Sequence, residues 1–365
     1  MPPYSKDRQQ SGKMSTGTKV IIGGGIGCAV IVGLTLIVFG FAGWWFFSPE
    51  DQVQTDKILD KETSAVFRLE DISGNHEAMQ LISDVLKESQ RLHRDQSPSQ
   101  LPQPIEKLES YFENNQDPGK LVKLFYPKEA TISLSSDKAG NTVFTLAANF
   151  ESGTRMVRTI LNAAFENDER LKENKISTEH GDLFLFDMED DWKEGRSGQN
   201  IVGFYKGTFL FSNDRKSAIS ALDNLAEERS IGKLNEALSD PYYRLSQRGS
   251  LAYGVLDGSF FRNPDNDLGI FEGGLSSEIR KAEISLDQLS GENGILNLNI
   301  IWNNKQFAAR ANEEIEKIKS EWIKEAEKKG FDMEVMNSLN NDRIDIQFRT
   351  NNLKDSLVEL IQNAD

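Results

Sequence analysis

The chain has 365 residues and a formal net charge of −15, distributed unevenly. The first 19 residues carry +3, so the rest of the chain carries −18. Nucleic-acid binding without sequence preference needs clustered lysine and arginine side chains that displace phosphate counterions, so an acidic body argues against nucleic acid as a partner.

After the short basic tail 1–19, the sequence predicts a transmembrane helix at 20–47. This segment has no charged residue in 28 positions. As an α-helix it would span about 42 Å, which exceeds the roughly 30 Å hydrocarbon core of a bilayer. The aromatic run 44–47 at its end is typical of the membrane–water interface, and the basic tail places the N-terminus in the cytoplasm. A single-pass signal anchor is therefore expected, with the bilayer as partner of residues 20–47.

Two alternatives concern the processing of this segment. Residues 40–42 read Gly-Phe-Ala, a small-x-small cleavage site. Cleavable signals carry only about 7–15 apolar residues, which favours an uncleaved anchor. Lipid attachment at Cys28 is disfavoured because Gly25, rather than a leucine, stands three positions before it.

The glycines at 23–25 and 27 admit a nucleotide-binding or a membrane interpretation. A phosphate loop requires Gly-x4-Gly-Lys-Ser/Thr, and a dinucleotide turn requires Gly-x-Gly-x-x-Gly; neither pattern is present. Gly25, Ala29 and Gly33 recur every four residues, so they share one helix face. Such ridges of small residues allow close packing of membrane helices, and we expect these three residues to support homo- or hetero-association.

Cys28 is the only cysteine, so the outer body has no disulfide. The body also lacks Asn-x-Ser/Thr sequons. Large ectodomains made in the secretory pathway usually carry disulfides or glycans. Their joint absence favours a bacterial envelope protein in the inner (cytoplasmic) membrane, with the C-terminal body periplasmic or extracellular.

The body is expected to comprise a polar tether at 48–62, a first α+β lobe at 63–230 and a second at 231–365, because one core rarely serves 318 residues. Periodicity predicts strands and helices in alternation. In the first lobe these are a strand at 64–71, helices at 75–92 and 104–115, a hairpin at 130–150, a helix at 154–172, strands within 181–188 and 201–214, and a helix capped by Asn213 or Asp214. In the second lobe they are a strand at 251–258, a hairpin at 282–304, a helix at 306–329, a strand at 342–348 and a last helix capped by Asn351 or Asn352.

The two series share one order of elements. The hairpins 130–150 and 282–304 are each followed by a helix, then by strand and helix. The predicted fold class is therefore α+β: a transmembrane helix followed by a two-lobed extracytoplasmic body, a degenerate duplication of a hairpin–helix–strands–helix unit.

The segment 238–261, LSDPYYRLSQRGSLAYGVLDGSFF, joins the two lobes. A short helix with Asp-Pro-aromatic, then small residues, then a strand ending in aspartate, resembles an uncharacterised family of membrane-anchored bacterial envelope proteins. The resemblance covers the general arrangement of elements in residues 64–365. It implies no activity and no functional residues.

The sequence contains one weak pattern for a metal site and no catalytic motif. Asn263, Asp265 and Asp267 alternate as in a calcium loop, but Gly269 and Glu272 are displaced from the positions that a calcium loop requires. An Asn/Asp/Pro/Gly turn explains the same composition. The three histidines, His76, His93 and His180, lie in separate elements, and His180 suits a turn before Gly181.

The aromatic strand at 203–211 fits core packing better than a ligand groove. No cofactor is expected. The sequence predicts a non-catalytic binding or scaffolding protein with envelope proteins as partners. A carboxylate-based hydrolase or carbohydrate-active enzyme and a lipid or small-molecule carrier stay open as alternatives.

Overall fold

A computed structural model describes residues 51–70, 75–81, 84–85, 127–137, 140–150, 154–167, 172–187, 199–227, 234–262, 271 and 275–362. Across these residues, no helix combines the length and the apolar character that a membrane crossing requires. The predicted transmembrane helix 20–47 and the predicted helix 104–115 lie outside the described residues.

Twelve strands run through the described chain. They are β1 Ala65–Leu69, β2 Glu129–Ser136, β3 Thr142–Asn149, β4 Lys175–Ser177, β5 Asp182–Asp187, β6 Gln199–Tyr205, β7 Thr208–Ser212, β8 Ala252–Asp257, β9 Ile279–Leu289, β10 Asn293–Trp302, β11 Asp332–Asn340 and β12 Arg343–Asn351. All belong to one sheet in the order β11-β12-β10-β9-β8-β1-β2-β3-β7-β6-β5-β4. Every neighbouring pair is antiparallel.

The pairing of β1 with β8 lies near the middle of the sheet. Ala65 lies opposite Leu256, and Leu69 lies opposite Ala252. Outward from this pair, the order β1-β2-β3-β7-β6 on one side has the same sequence of elements as β8-β9-β10-β12-β11 on the other. Two halves of the chain thus meet edge to edge through their first strands.

The predicted fold class, two α+β lobes from a duplicated unit, is wrong as a description of the body. One antiparallel sheet of twelve strands runs without interruption through the described chain, and the few helices pack on it. The cause is the β1–β8 pairing, which satisfies main-chain groups that two separate lobes would each leave unpaired at an edge.

Six helices accompany the sheet in the described ranges. They are α1 Thr154–Asn167, α2 Arg215–Ala226, α3 Glu236–Ser246, α4 Gly258–Arg262, α5 Lys305–Glu327 and α6 Leu353–Gln362, with 3-10 turns at Thr55–Ile58 and Leu275–Glu278. Residues 76–81 and 84–85 are also helical.

Alternation along the strands divides the apolar side chains between two faces of the sheet. On the face that we call the front face, α2 and α3 pack with the 3-10 turn Thr55–Ile58 around Val66 and Val255. On the opposite back face, α4, α5 and α6 pack over the C-terminal half around Trp302. Phe165 of α1 packs on phenylalanines of β5 and β6 on the same back face.

Local signals explain several element boundaries. The side chain of Asp214 accepts a hydrogen bond from the Ser217 amide at 2.8 Å and caps α2, as predicted. Lys206 has φ 51° in the two-residue turn between β6 and β7, and Asn341 has φ 56° between β11 and β12. Gly330 has φ 80° just after α5, the left-handed conformation that favours glycine at a helix end.

Candidate functional site: a buried charged centre

One arginine on the front face of the sheet contacts three carboxylates. Arg68 of β1 approaches Asp56 with Nη1 at 2.8 Å, Glu70 with Nε at 2.7 Å and Glu129 with Nη2 at 3.2 Å. The Arg68 side chain is 11 % exposed and that of Asp56 is 8 % exposed. We call this group, with Tyr242 and Tyr253, the charged centre.

Two tyrosines close the charged centre. Tyr242 of α3 accepts a hydrogen bond from Arg68 Nη1 at 3.2 Å, and Tyr253 of β8 donates to Glu70 at 2.9 Å. Their rings lie 5.5 Å apart, and both are buried. The helix α3 thereby shields the guanidinium from solvent, which strengthens its electrostatic interactions.

The segment 51–59 brings Asp56 to the sheet, and we call it the N-terminal strap. The Gly207 amide donates to the Asp51 carbonyl at 2.9 Å, and Asn149 donates to the Val53 carbonyl at 2.7 Å. The Thr55 amide and hydroxyl both donate to Glu129 Oε1, at 2.8 and 2.7 Å. Ile58 and Leu59 are buried in the front-face core. These contacts run from one end of the strap to the other, so the strap is fixed on the sheet.

The charged centre has one guanidinium for three carboxylates, and the ionisation of Asp56 reflects this imbalance. Burial raises the pKa of Asp56, Arg68 opposes that shift, and the negative charges of Glu129 and Glu70 add to it. Asp56 Oδ1 is buried and has no hydrogen-bond partner. Burial by itself lowers the pKa of Arg68, but Tyr242 and the carboxylates raise it above its ordinary value, so the guanidinium stays charged.

Replacing Asp56 with asparagine is expected to change the pH dependence of stability in a defined direction. Because the pKa of Asp56 is raised above its ordinary 3.8, the folded protein holds a proton that the unfolded chain has already released. The free energy of unfolding of the wild type therefore falls as the pH rises from the ordinary pKa of an aspartate toward the raised pKa of Asp56. Asp56→Asn has no such loss, because asparagine does not ionise. Urea unfolding from pH 4 to 8 should show that the variant gains stability relative to the wild type as the pH rises. Glu62→Gln serves as the control, because Glu62 is an exposed carboxylate beside the strap. A difference in stability between Asp56→Asn and wild type that stays constant with pH would contradict the expectation.

Farther along the front face, hydrogen-bonded polar side chains cross the C-terminal half of the sheet. In one row, Asp287 accepts from Ser250 and from Asn297, both at 2.6 Å, and Gln347 donates to Asn297 at 2.9 Å. In a second row, Arg343 donates to Asn299 at 3.0 Å and to Asp345 at 2.6 Å. We call these the polar rows. The helix α5, which packs on β10 and β12, lies on the opposite face.

The side chains that the sequence singled out do not form this site. Gly25, Ala29 and Gly33, and the calcium pattern Asn263, Asp265 and Asp267, lie outside the described residues. His180 lies in the turn between β4 and β5, with Nε2 3.3 Å from Glu179 and 3.9 Å from Asp223. No group of three histidine, cysteine or acidic side chains in the described ranges is arranged to hold a metal ion.

Sequence reasoning missed the charged centre because its residues come from distant segments. Asp56, Arg68, Glu129 and Tyr242 span 186 positions between the first and the last. One local signal was present: Arg68 interrupts the apolar run of a strand in which its neighbours are buried or half-buried. An arginine at such a position calls for carboxylate partners.

Comparison with known proteins identifies no family. No family model matches the chain, and no curated protein matches it. Similar solved structures include crystal form I of a protein called TP0453, with TM-score 0.41 and 11 % identity over 84 % of this chain and 97 % of that chain. They also include crystal form IV of that protein, with TM-score 0.42 and 9 % identity over 85 % of this chain and 97 % of that chain.

Proposed function

We propose that this protein is a non-catalytic binding or scaffolding protein of the bacterial envelope, anchored in the inner membrane by residues 20–47. The observation that carries the proposal is the N-terminal strap. The segment that directly follows the predicted anchor is tied to the middle of the sheet by hydrogen bonds, buried apolar side chains and the charged centre.

The strap limits how far the sheet can lie from the membrane. Only residues 48–50 separate the predicted anchor from Asp51, whose carbonyl already accepts a hydrogen bond from the sheet. At about 3.3–3.6 Å per residue, this connection reaches at most about 14 Å. A sheet held so close to a bilayer suits a platform on which other envelope proteins assemble.

The chemistry of the front face supports binding over catalysis. All three carboxylates of the charged centre are engaged by Arg68, whose guanidinium also donates to Tyr242, so they are committed to an ion-pair network. In the polar rows, the side chains are held in place by hydrogen bonds to one another. Side chains preorganised in this way lose little entropy when they bind a partner.

The anchor is tested by membrane fractionation of the full chain. Wild type is expected to stay in the membrane fraction after an alkaline carbonate wash, with the body accessible to protease from outside. Leu34→Arg combined with Leu36→Arg places two charges in the apolar segment, and this variant is expected to leave the membrane. Leu34→Ile with Leu36→Ile is the matched control. Wild type found in the soluble fraction would overturn the anchoring.

The binding surface is tested in intact membranes with a photoreactive amino acid. Placed at Gln347 in the polar rows, it is expected to crosslink to a defined partner, and Arg343→Ala is expected to reduce that crosslink by removing the second row. The same probe at Asp355, an exposed position on α6 of the back face, is the control. Equal crosslinking from both positions would contradict a specific surface on the front face.

A further inference from the structure

The edge strand β11 is long and has few of the features that usually prevent pairing. It ends the sheet, with β12 as its neighbour, and pairs with β12 over all nine residues without a bulge. It contains neither proline nor lysine nor arginine. The opposite edge strand, β4, has only three residues, and its Lys175 contacts Glu166 and Asp182. Short strands and lysines normally prevent edge pairing, so of the two edges of the sheet in the described part of the chain, β11 is the one available to another strand.

The exposed apolar side chains of the described residues also point to β11. Large hydrophobic side chains are exposed at three described positions, and two of these, Met336 at 45 % and Leu339 at 42 %, are on this strand. An exposed edge with apolar side chains is a site for strand addition.

We infer that β11 pairs antiparallel with β11 of a second copy of this chain, around a two-fold axis at Met336. The pairing goes beyond the proposed function and does not depend on the membrane anchor. In this register Met336 faces Met336 of the second copy, and Leu339 faces Met333. Asp332 faces Asn340, and Glu334 faces Ser338. Both acidic residues thus face neutral side chains that can donate hydrogen bonds.

Other registers are less favourable. Centring the axis on Glu334 would place two glutamates directly opposite each other, which is destabilising. Centring it on Ser338 would leave the first residues of each strand without a partner. A two-fold pairing needs one surface that complements itself, and β11 meets this condition best around Met336.

The helix α5 packs on the back face at this edge. Lys319 of α5 donates to Asn337 of β11 at 3.1 Å, and Trp322 packs on Phe348 of β12 with ring centroids 5.7 Å apart. The helix α5 therefore lies over both strands. An antiparallel pairing of β11 around a two-fold axis would therefore bring the α5 helices of the two copies side by side on the back face.

Cysteine crosslinking in the full chain tests the register. In a Cys28→Ala background, Met336→Cys is expected to form a disulfide-linked dimer under mild oxidation, because the two cysteines face each other across the axis. Asn340→Cys, exposed on the same face, is the control. Its two copies would be separated by eight residue steps, about 26 Å, and should not react. No dimer at 336, or equal dimer at 336 and 340, would overturn the inference.

A charge exchange separates this pairing from association through the membrane helix. Ser338→Glu places a glutamate opposite Glu334 twice in the dimer, and sedimentation should show an approximately 2- to 30-fold weaker dimer. Adding Glu334→Lys makes both pairs opposite in sign and should restore wild-type affinity. Glu334→Lys alone faces serine and should have little effect. Residues 334 and 338 are exposed in each copy, so these substitutions should not affect folding. A dimer affinity that is unchanged by Ser338→Glu would contradict the β11 pairing.

Discussion

Replacing Arg68 with methionine is expected to lower the free energy of unfolding by about 3–5 kcal/mol, the usual effect of removing one partner from a buried ionic group. Arg68 Nε, Nη1 and Nη2 contact three different carboxylates. Methionine fills much of the same volume but leaves Asp56 and Glu129 facing each other without a cation. Their mutual repulsion and lost solvation then act against the folded state.

Urea unfolding at pH 7, followed by circular dichroism, measures this effect. Arg68→Lys is expected to fall between methionine and wild type, because a single ammonium cannot reach all three carboxylates with the geometry of a guanidinium. Arg349→Met on β12 is the matched control, since Arg349 is exposed, and such surface changes usually stay within about 0.5 kcal/mol. A further result distinguishes electrostatics from packing: the penalty of Arg68→Met should shrink as acid protonates the carboxylates. A loss below about 1 kcal/mol at pH 7 would show that the charged centre contributes little to stability.

Elements specified by neighbouring residues could be predicted from the sequence. The helix α5 follows from apolar residues spaced by three and four positions, and it spans Lys305–Glu327 where 306–329 was predicted. The hairpin predicted at 130–150 is β2 and β3, and its turn lies between Ser136 and Thr142. In both cases the periodicity and the terminating residues lie within one short stretch of chain, so no distant contact is needed to recognise them.

The strand β11 was not predicted, because its sequence suits an edge and little else. In DMEVMNSLN, polar and apolar residues alternate over the first four positions only, and Val335 is the sole β-branched residue. Asparagine and serine in the second half are typical of turns. What makes this segment a strand is its pairing with β12, a partner that becomes visible only when the fold is known.

The charged centre and the joining of the two halves share a physical reason for being unpredictable. Residues 65–69 pair with residues 252–256, almost two hundred positions later. A single sequence contains the apolar alternation of both strands but no information on which strands become neighbours. Arg68 indicated a need for carboxylates; their identity depended on the β1–β2 and β1–β8 pairings.

Replacing Gly254 with alanine is expected to destabilise the protein by about 1–3 kcal/mol, the usual cost of overpacking. Gly254 of β8 lies directly opposite Phe67 of β1, in the pair of strands that joins the two halves. A Cβ atom at position 254 would lie 2.4 Å from Phe67 Cδ1 and 3.0 Å from Ile284 Cγ2. Because the Phe67 ring packs between two back-face clusters, it cannot move aside without disturbing both.

A double-mutant cycle assigns this cost to the contact between β1 and β8. Phe67→Leu removes ring atoms at the point of conflict, so Gly254→Ala should cost less in that background, with a coupling energy of about 0.5–3 kcal/mol. Gly291→Ala is the matched control, since a Cβ atom there has Lys354 Cβ at 3.9 Å as its nearest neighbour. Urea unfolding of the four proteins and the control measures each value. If Gly254→Ala costs the same in wild type and in the Phe67→Leu background, the penalty does not come from this contact. If the penalty disappears with the smaller side chain, the cost comes from the close approach of Phe67 to Gly254, and the β1–β8 pairing requires a residue without a side chain at position 254.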